Sequence, residues 1–253
     1  MKEKRILSGH FSYKTDLGKV RMSNEDRVVA LNNSHGDVLL VVCDGMGGVK
    51  KGDFAATIAI NTISDAFKDK KSSFKTKAGS IYWLSNVIRK ANKSIYSESE
   101  KNDAYKGMGT TMTAVLLVSD FMVVAQVGDS RCYTIDNTNH IYQMTQDQTY
   151  VAYLLRTGAI TEEEMLTHPK RHILMNALGV YPSLELDVKS YPYCGENLLL
   201  CSDGLYNNVQ ISEIESVMLS EDSVEQKINT LIAIANNNGG SDNIGIVYWE
   251  SNR

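Results

Sequence analysis

One junction constrains this chain before anything else. Val38-Leu-Leu-Val-Val-Cys43 is apolar and of strand length, and it stops at Asp44-Gly-Met-Gly-Gly48. A strand over 38–43 carries Asp44 to a sheet edge. Gly45, Gly47 and Gly48 then let the backbone turn tightly and lie close to whatever the carboxylate binds. A lone Asp-Gly pair is turn chemistry first. Here the pattern returns at Leu198-Leu-Leu-Cys-Ser-Asp-Gly-Leu205, and further strand-end aspartates stand at Asp129 and Asp242.

Around this junction, residue patterning predicts strands over 6–13, 27–31, 111–118, 121–127, 132–135, 141–144, 184–190, 197–201 and 244–249. Helical spacing runs over 53–67 (Phe54, Ile58, Ile60, Ile63, Phe67) and 80–100 (Ile81, Leu84, Val87, Ile88, Ala91, Ile95), then near 212–219 and 223–236. A helix is also expected over 147–156, and a second starts at Thr161-Glu-Glu-Glu164 and stops at His168-Pro169. Residues 150–172 are polar, with few bulky apolar side chains beyond Leu154 and Leu155, and read as a flap laid over the body. Strands and helices cluster in blocks rather than alternating, which favours an α+β fold with helices on largely antiparallel sheets. No repeat or low-complexity linker divides the chain, so one domain over 1–253 is expected.

Composition narrows the function classes. A hydrophobic share of 43% with 22% charged residues fits an ordinary globular core, and a net charge of −4 gives no reason to expect nucleic acid. The longest apolar stretches, 38–43 and 114–118, are far too short to span a bilayer. The N-terminus lacks the apolar core of a signal peptide, so a cytoplasmic protein with reduced thiols is expected; Cys43 and Cys201, each closing an apolar run, read as buried.

Four aspartates thus stand at strand ends: Asp44, Asp129, Asp203 and Asp242. Close-set carboxylates repel one another unless a cation neutralises them or some are protonated. Oxygen-only ligands suit Mg2+ or Mn2+ rather than Zn2+, and the five histidines show no zinc-type pairing. Two such ions sharing a carboxylate can activate a water between them and polarise a phosphoryl group for in-line attack. Two other phosphatase chemistries are excluded. No cysteine has an arginine six residues on, and no aspartate has another two positions away.

The motifs Arg21-Met-Ser-Asn-Glu-Asp26, Asp44-Gly-Met-Gly-Gly48, Gly109-Thr-Thr111, Val127-Gly-Asp-Ser-Arg131, Ala177-Leu-Gly179, Cys201-Ser-Asp-Gly-Leu205 and Asp242-Asn-Ile244 span nearly the whole chain. In that order they resemble the metal-dependent serine/threonine protein phosphatases of the 2C type, in their compact bacterial form. The resemblance implies a β-sandwich of two antiparallel sheets flanked by helices on both outer faces. It implies hydrolysis of phosphoserine and phosphothreonine by a water activated between two Mn2+ or Mg2+ ions. By position, Asp44 would bridge the two ions, the Gly45 carbonyl would ligate the first, and Asp203 and Asp242 would hold the second. Asp129 with Asp203 would hold a weaker third ion. Glu25 and Asp26 would act through metal-bound water, Arg21 would grip the substrate phosphate, and Asn243 would orient the ligands.

Four residues depart from the family pattern. Val49 stands where bacterial members carry a histidine, and Met46 where animal members have a histidine proposed as general acid. Gln148 replaces the histidine of Asp-His-Ser, and Asn176 sits where an arginine often precedes Ala-Leu-Gly. None is an expected metal ligand; they bear on the leaving-group acid, the flap and substrate preference. They also motivate an alternative, a phosphatase-like module that binds phosphoproteins without turnover. The resemblance further implies phosphoprotein substrates, including a serine/threonine kinase that the enzyme opposes; a monomer is expected.

Overall fold

The computed structural model describes residues 7–47, 51–136, 138 and 140–252. Gly48 and Val49, with the departure expected at Val49, lie outside the described residues.

Two five-stranded antiparallel sheets form the centre. The first has the order β1 (Gly9–Asp16), β12 (Ile244–Ser251), β11 (Asn197–Cys201), β8 (Arg131–Ile135) and β9 (Ile141–Gln143). The second runs β10 (Asp187–Pro192), β7 (Phe121–Val127), β6 (Met112–Val118), β3 (Val38–Cys43) and β2 (Arg27–Asn32). Leu40, Val42, Val115, Leu117, Leu198, Leu200, Val247 and Trp249 fill the space between the sheets.

Helices cover both outer faces. Leu39, Val41 and Cys43, on the other face of β3, pack under α1 (Lys51–Lys68) and α2 (Lys77–Lys101). The opposite sheet packs Leu199, Cys201, Ile246 and Tyr248 against α5 (Asp203–Tyr206), α6 (Ile211–Met218) and α7 (Val224–Asn237). This is the expected α-β-β-α order. It also explains the unbroken apolar run of β3, all six residues of which are buried: a strand covered on both faces has no polar side to alternate with. All four cysteines are free thiols; Cys43, Cys132 and Cys201 are buried and Cys194 is exposed.

Element boundaries moved where tertiary bonds overruled local pattern. The first strand, expected over 6–13, is set by pairing with β12 over its whole length, from Gly9 opposite Ser251 to Asp16 opposite Ile244. The strand expected over 184–190 shifts to Asp187–Pro192, because β7 pairs there, while Leu184 and Leu186 pack on the helix-side core. The helix expected from Asp147 begins only at Tyr150, as α3 (Tyr150–Arg156), capped by the Thr149 hydroxyl. Asp147 and Gln148 are held elsewhere, by Arg131 and Gly128. Then α4 (Glu162–Thr167) has the expected start, a reciprocal cap between Thr161 and Glu164, and ends at His168. Of α3 and α4 only Val151 is buried, so this helical pair lies on the body and contributes little to its core.

Candidate active site

Asp44 leaves β3 into a short antiparallel pair, β4 (Gly45–Met46) with β5 (Gly109–Thr110). Its backbone is fixed by the two threonines that follow Gly109. The Asp44 N–H donates to the Thr111 hydroxyl (2.9 Å), and the Asp44 carbonyl accepts from Thr111 N–H (2.8 Å) and the Thr110 hydroxyl (2.9 Å). Thr111 Oγ1 also lies 2.7 Å from Ser130 Oγ, so the same side chain joins Asp44 to the Asp129 loop. Gly109-Thr-Thr111 therefore works through backbone positioning, as a tight approach at a strand start.

Gly45 is required by a close approach rather than by a turn. A Cβ there would overlap the Gly52 carbonyl and come 2.8 Å from the Glu25 carbonyl oxygen. Gly52, in the first turn of α1, is equally closed, by Gly45 and the Glu25 carboxylate. Gly47 is the residue that needs the left-handed region, at φ 125°. Met46, paired with Gly109, brings no titratable group to the loop.

Asp203 opens α5, where the Asn207 side-chain amide donates to its Oδ2 (3.1 Å). Gly204 lets this turn press on the Asp242–Asn243 segment, since a Cβ at 204 would overlap the Asn243 carbonyl oxygen. Asn243 is buried and ties three segments together. Its Oδ1 accepts from Glu25 N–H (2.9 Å), and its Nδ2 donates to Leu17 O (2.9 Å) and Ser23 O (3.0 Å). It thus holds the loop carrying Arg21 and Glu25 beside Asp242.

Asp26 is fully buried. Ser202 donates to its Oδ2 (2.6 Å) while accepting from Gly245 N–H (2.7 Å), and among the described residues Asp26 Oδ1 has no hydrogen-bond partner. Burial, with Asp242 nearby, pushes Asp26 up to about 7. Asp44 and Asp203 are raised well above the usual carboxylate range by desolvation first. Asp44 is raised further by the charges of Asp26, Asp203, Asp129 and Asp242, and Asp203 by Asp129, Asp242 and Asp26. Burial and Asp147 push Asp129 up to about 6. Five aspartates from separate segments therefore share one field. An oxygen-only cluster of mutually repelling carboxylates, with a buried unpartnered oxygen among them, has the chemistry of a Mg2+ or Mn2+ site.

Two features differ from the expected arrangement. Arg21 Nη2 bonds Asp242 Oδ2 at 2.6 Å, so the residue expected on a phosphate sits on an expected metal ligand. Among the described residues, no three acidic, histidine or cysteine side chains close into a preformed cage.

The Asp129 loop is braced from both sides. Arg131 grips Asp147 through Nε (3.1 Å to Oδ1) and Nη2 (2.7 Å to Oδ2), its guanidinium 3.5 Å from the Tyr206 ring centre. The Tyr206 hydroxyl in turn donates to the Asp129 carbonyl (3.2 Å). On the other side, Gly128 N–H donates to Gln148 Oε1 (2.9 Å), which also accepts from Asn176 Nδ2 (2.7 Å). Two of the departures from the family pattern are thus hydrogen-bonded to each other.

Sequence reasoning missed Gly52, Gly204 and Ser202 as parts of this site. Gly204, inside the second Asp-Gly pair, carried a signal that reads as a turn. Ser202 lay inside the Cys201–Leu205 motif with no role assigned to it, and Gly52 carried no signal, since its partners lie far away in sequence.

A two-sheet sandwich with aspartates converging from its strand ends, with Arg21 on one of them, defines a class of cation-dependent phosphoester hydrolases. The family model described as "Protein phosphatase 2C" matches residues 19–244. The serine/threonine phosphatase stp of Listeria welshimeri is 39% identical over 246 residues, 96% of each chain. The crystal structure of serine/threonine phosphatase Stp1 from Staphylococcus aureus superposes with a TM-score of 0.91 at 33% identity, covering 99% of this chain and 98% of that one. The catalytic domain of the serine threonine protein phosphatase PstP, solved in complex with two manganese ions, gives 0.84 at 30% identity, covering 97% and 99%. The chain belongs to the protein phosphatase 2C family and is a serine/threonine protein phosphatase.

Proposed function

We propose that Asp44, the Gly45 carbonyl, Asp203 and Asp242 hold two Mn2+ or Mg2+ ions, that Asp129 joins Asp203 at a weaker third, and that the substrates are phosphoserine and phosphothreonine in proteins. When bound, the two ions supply a nucleophilic water at neutral pH and neutralise charge on the phosphoryl group. Arg21 exchanges Asp242 for the phosphate, whose oxygens match the guanidinium fork. Asn243 keeps the Arg21–Glu25 loop against Asp242, and Ser202 holds the Asp26 carboxylate in place. Glu25 and Asp26 orient water in the site. Met46 has no proton to give, so the leaving oxygen takes its proton from water.

The observation that carries this reading is the convergence of five aspartates, among which Asp44 and Asp203 are raised by burial first and then by the charges of their neighbours. Hydrolysis of a phosphothreonine peptide should require Mn2+ or Mg2+, stop with chelator and return on adding metal. Asp203→Asn should lower kcat by about 10²–10³-fold, as loss of one electrostatic stabiliser does. Unchanged turnover in metal-free buffer would sink the mechanism.

The wider setting follows the same reading. The enzyme opposes a serine/threonine kinase in the cytoplasm as a monomeric single catalytic domain, with residues 150–172 as a flap beside the site. Among the described residues no helix is long and apolar enough to cross a membrane. The alternative of a phosphoprotein-binding module without turnover is not favoured, because every expected acid is present and the full-length relatives are named phosphatases.

A further inference from the structure

We propose that Gln148 is a positioning residue for Asp129 and that Asn176 sets Gln148 in that role, so that the base of the α3–α4 pair fixes where the Asp129 carboxylate stands. The inference rests on the reading of Asp129 as a cation ligand.

Gln148 clamps the Gly128 peptide from both ends. Its Oε1 accepts from Gly128 N–H (2.9 Å), and its own N–H donates to Gly128 O (3.1 Å). Gly128 also lies close against Thr111, with no room for a side chain. It sits at φ 94°, and a Cβ there would lie 2.6 Å from the Thr111 methyl. The next residue is Asp129, so the orientation of the Gly128 peptide sets the direction in which that carboxylate leaves the chain.

Gln148 is in turn held from outside its own segment. Asn176 Nδ2 donates to Gln148 Oε1 (2.7 Å) and to the Glu185 carbonyl (2.6 Å). Asn176 adjoins Ala177-Leu-Gly179, which is locked to the body. Leu178 and Thr110 exchange backbone bonds (2.9 and 3.1 Å), and Gly179 N–H donates to Asn92 Oδ1 on α2 (2.7 Å). Thr110 also bonds the Asp44 carbonyl, so one frame fixes both Asp44 and, through Asn176 and Gln148, the Asp129 loop. Among the described residues, the side-chain hydrogen bonds of Gln148 and Asn176 run to Gly128, to each other and to Glu185, not to the Asp129 carboxylate, which makes the pair positioning residues rather than ligands. Both are uncharged amides, so this latch does not titrate.

The test is Mn2+ binding to metal-stripped protein, measured by calorimetry and by electron paramagnetic resonance, without reference to turnover. Asp129→Asn should remove the weakest Mn2+ site. Gln148→Met, which keeps the side-chain length without the acceptor, should weaken that site about 10-fold, the low end for residues that orient ligands, and leave the tighter sites unchanged. Asn176→Leu should act in the same direction, and the double variant should be no worse than Gln148→Met, because the two act as one unit. If Asp129→Asn leaves the weakest site intact, the reading of Asp129 fails and this inference fails with it. If Asp129→Asn removes that site but Gln148→Met does not touch it, positioning by Gln148 is refuted while the metal reading stands. Equal weakening of every Mn2+ site by Gln148→Met would also overturn it, by showing general loosening.

Discussion

Arg21 and Asp242 are joined at 2.6 Å, so the cationic side chain expected to hold substrate neutralises a carboxylate expected to hold metal. The pair is solvent-reached, with side-chain exposures of 55% and 29%. Its worth to the fold is therefore small, under about 1 kcal/mol. If Asp242 holds Mn2+ as proposed, the ion has to displace a guanidinium from it. Arg21→Ala should therefore raise Mn2+ affinity a few-fold in calorimetry while lowering kcat/KM on phosphopeptides by at least about 10-fold, the loss of a charge-assisted contact. Weaker Mn2+ binding in the variant would mean that Arg21 orients Asp242 instead.

The carboxylate cluster sets a pH dependence for the metal-free protein. Asp26 and Asp129 are raised to about 7 and about 6, and Asp44 and Asp203 are raised as well. Each group binds protons more tightly folded than unfolded, so stability from these groups is fullest below about pH 4 and falls as pH rises towards about 7. Across that window the melting temperature of metal-stripped protein should drop relative to that of the Mn2+-loaded protein. Adding Mn2+ near pH 6 should release protons, seen as a dependence of binding heat on buffer ionisation enthalpy. A buffer-independent heat would contradict the shared field.

Close backbone approach makes Gly204 more demanding than the exposed turn glycines. Gly204→Ala sets a methyl against the Asn243 carbonyl, and backbone cannot step aside as a side chain can. We expect a loss of about 1–3 kcal/mol, the range for overpacking, together with weaker Mn2+ binding. Gly36→Ala is the control: φ is 78° but a Cβ meets nothing within 4 Å, so only the left-handed strain of about 1–2 kcal/mol applies and Mn2+ binding stays unchanged. Chemical denaturation and metal titration of both variants separate the two effects.

Thr111 serves Asp44 and Ser130 at once. Thr111→Val keeps the shape but strips the acceptor from Asp44 N–H and the partner from Ser130 Oγ. That should cost about 1–3 kcal/mol for the groups left unpaired, with Mn2+ affinity down about 10–100-fold. A variant with lowered stability and unaltered Mn2+ affinity would confine Thr111 to the fold.

Much of the fold was legible in residue order. Helical stripes on α2 and α7, the start of α4 at Thr161, and the strand leading to Asp44 depend on neighbours within a few positions, which periodicity reports. Boundaries failed where a distant partner decided them. β1 follows β12 from the other end of the chain, and α3 starts late because Arg131 and Gly128 take Asp147 and Gln148.

The sequence by itself determined that aspartates end strands beside glycines, in an order resembling one phosphatase family, and that their chemistry calls for a hard cation. Only the tertiary structure decided which groups meet: Ser202 on Asp26, Gly204 against Asn243, Gly52 against Gly45, and Gln148 with Asn176 behind Asp129. The reason is range. Strand and helix patterning is written in local spacing, whereas sheet pairing joins segments up to the full chain length apart, and residues such as Gly52 and Ser202 acquire their roles only from the partners that pairing brings to them.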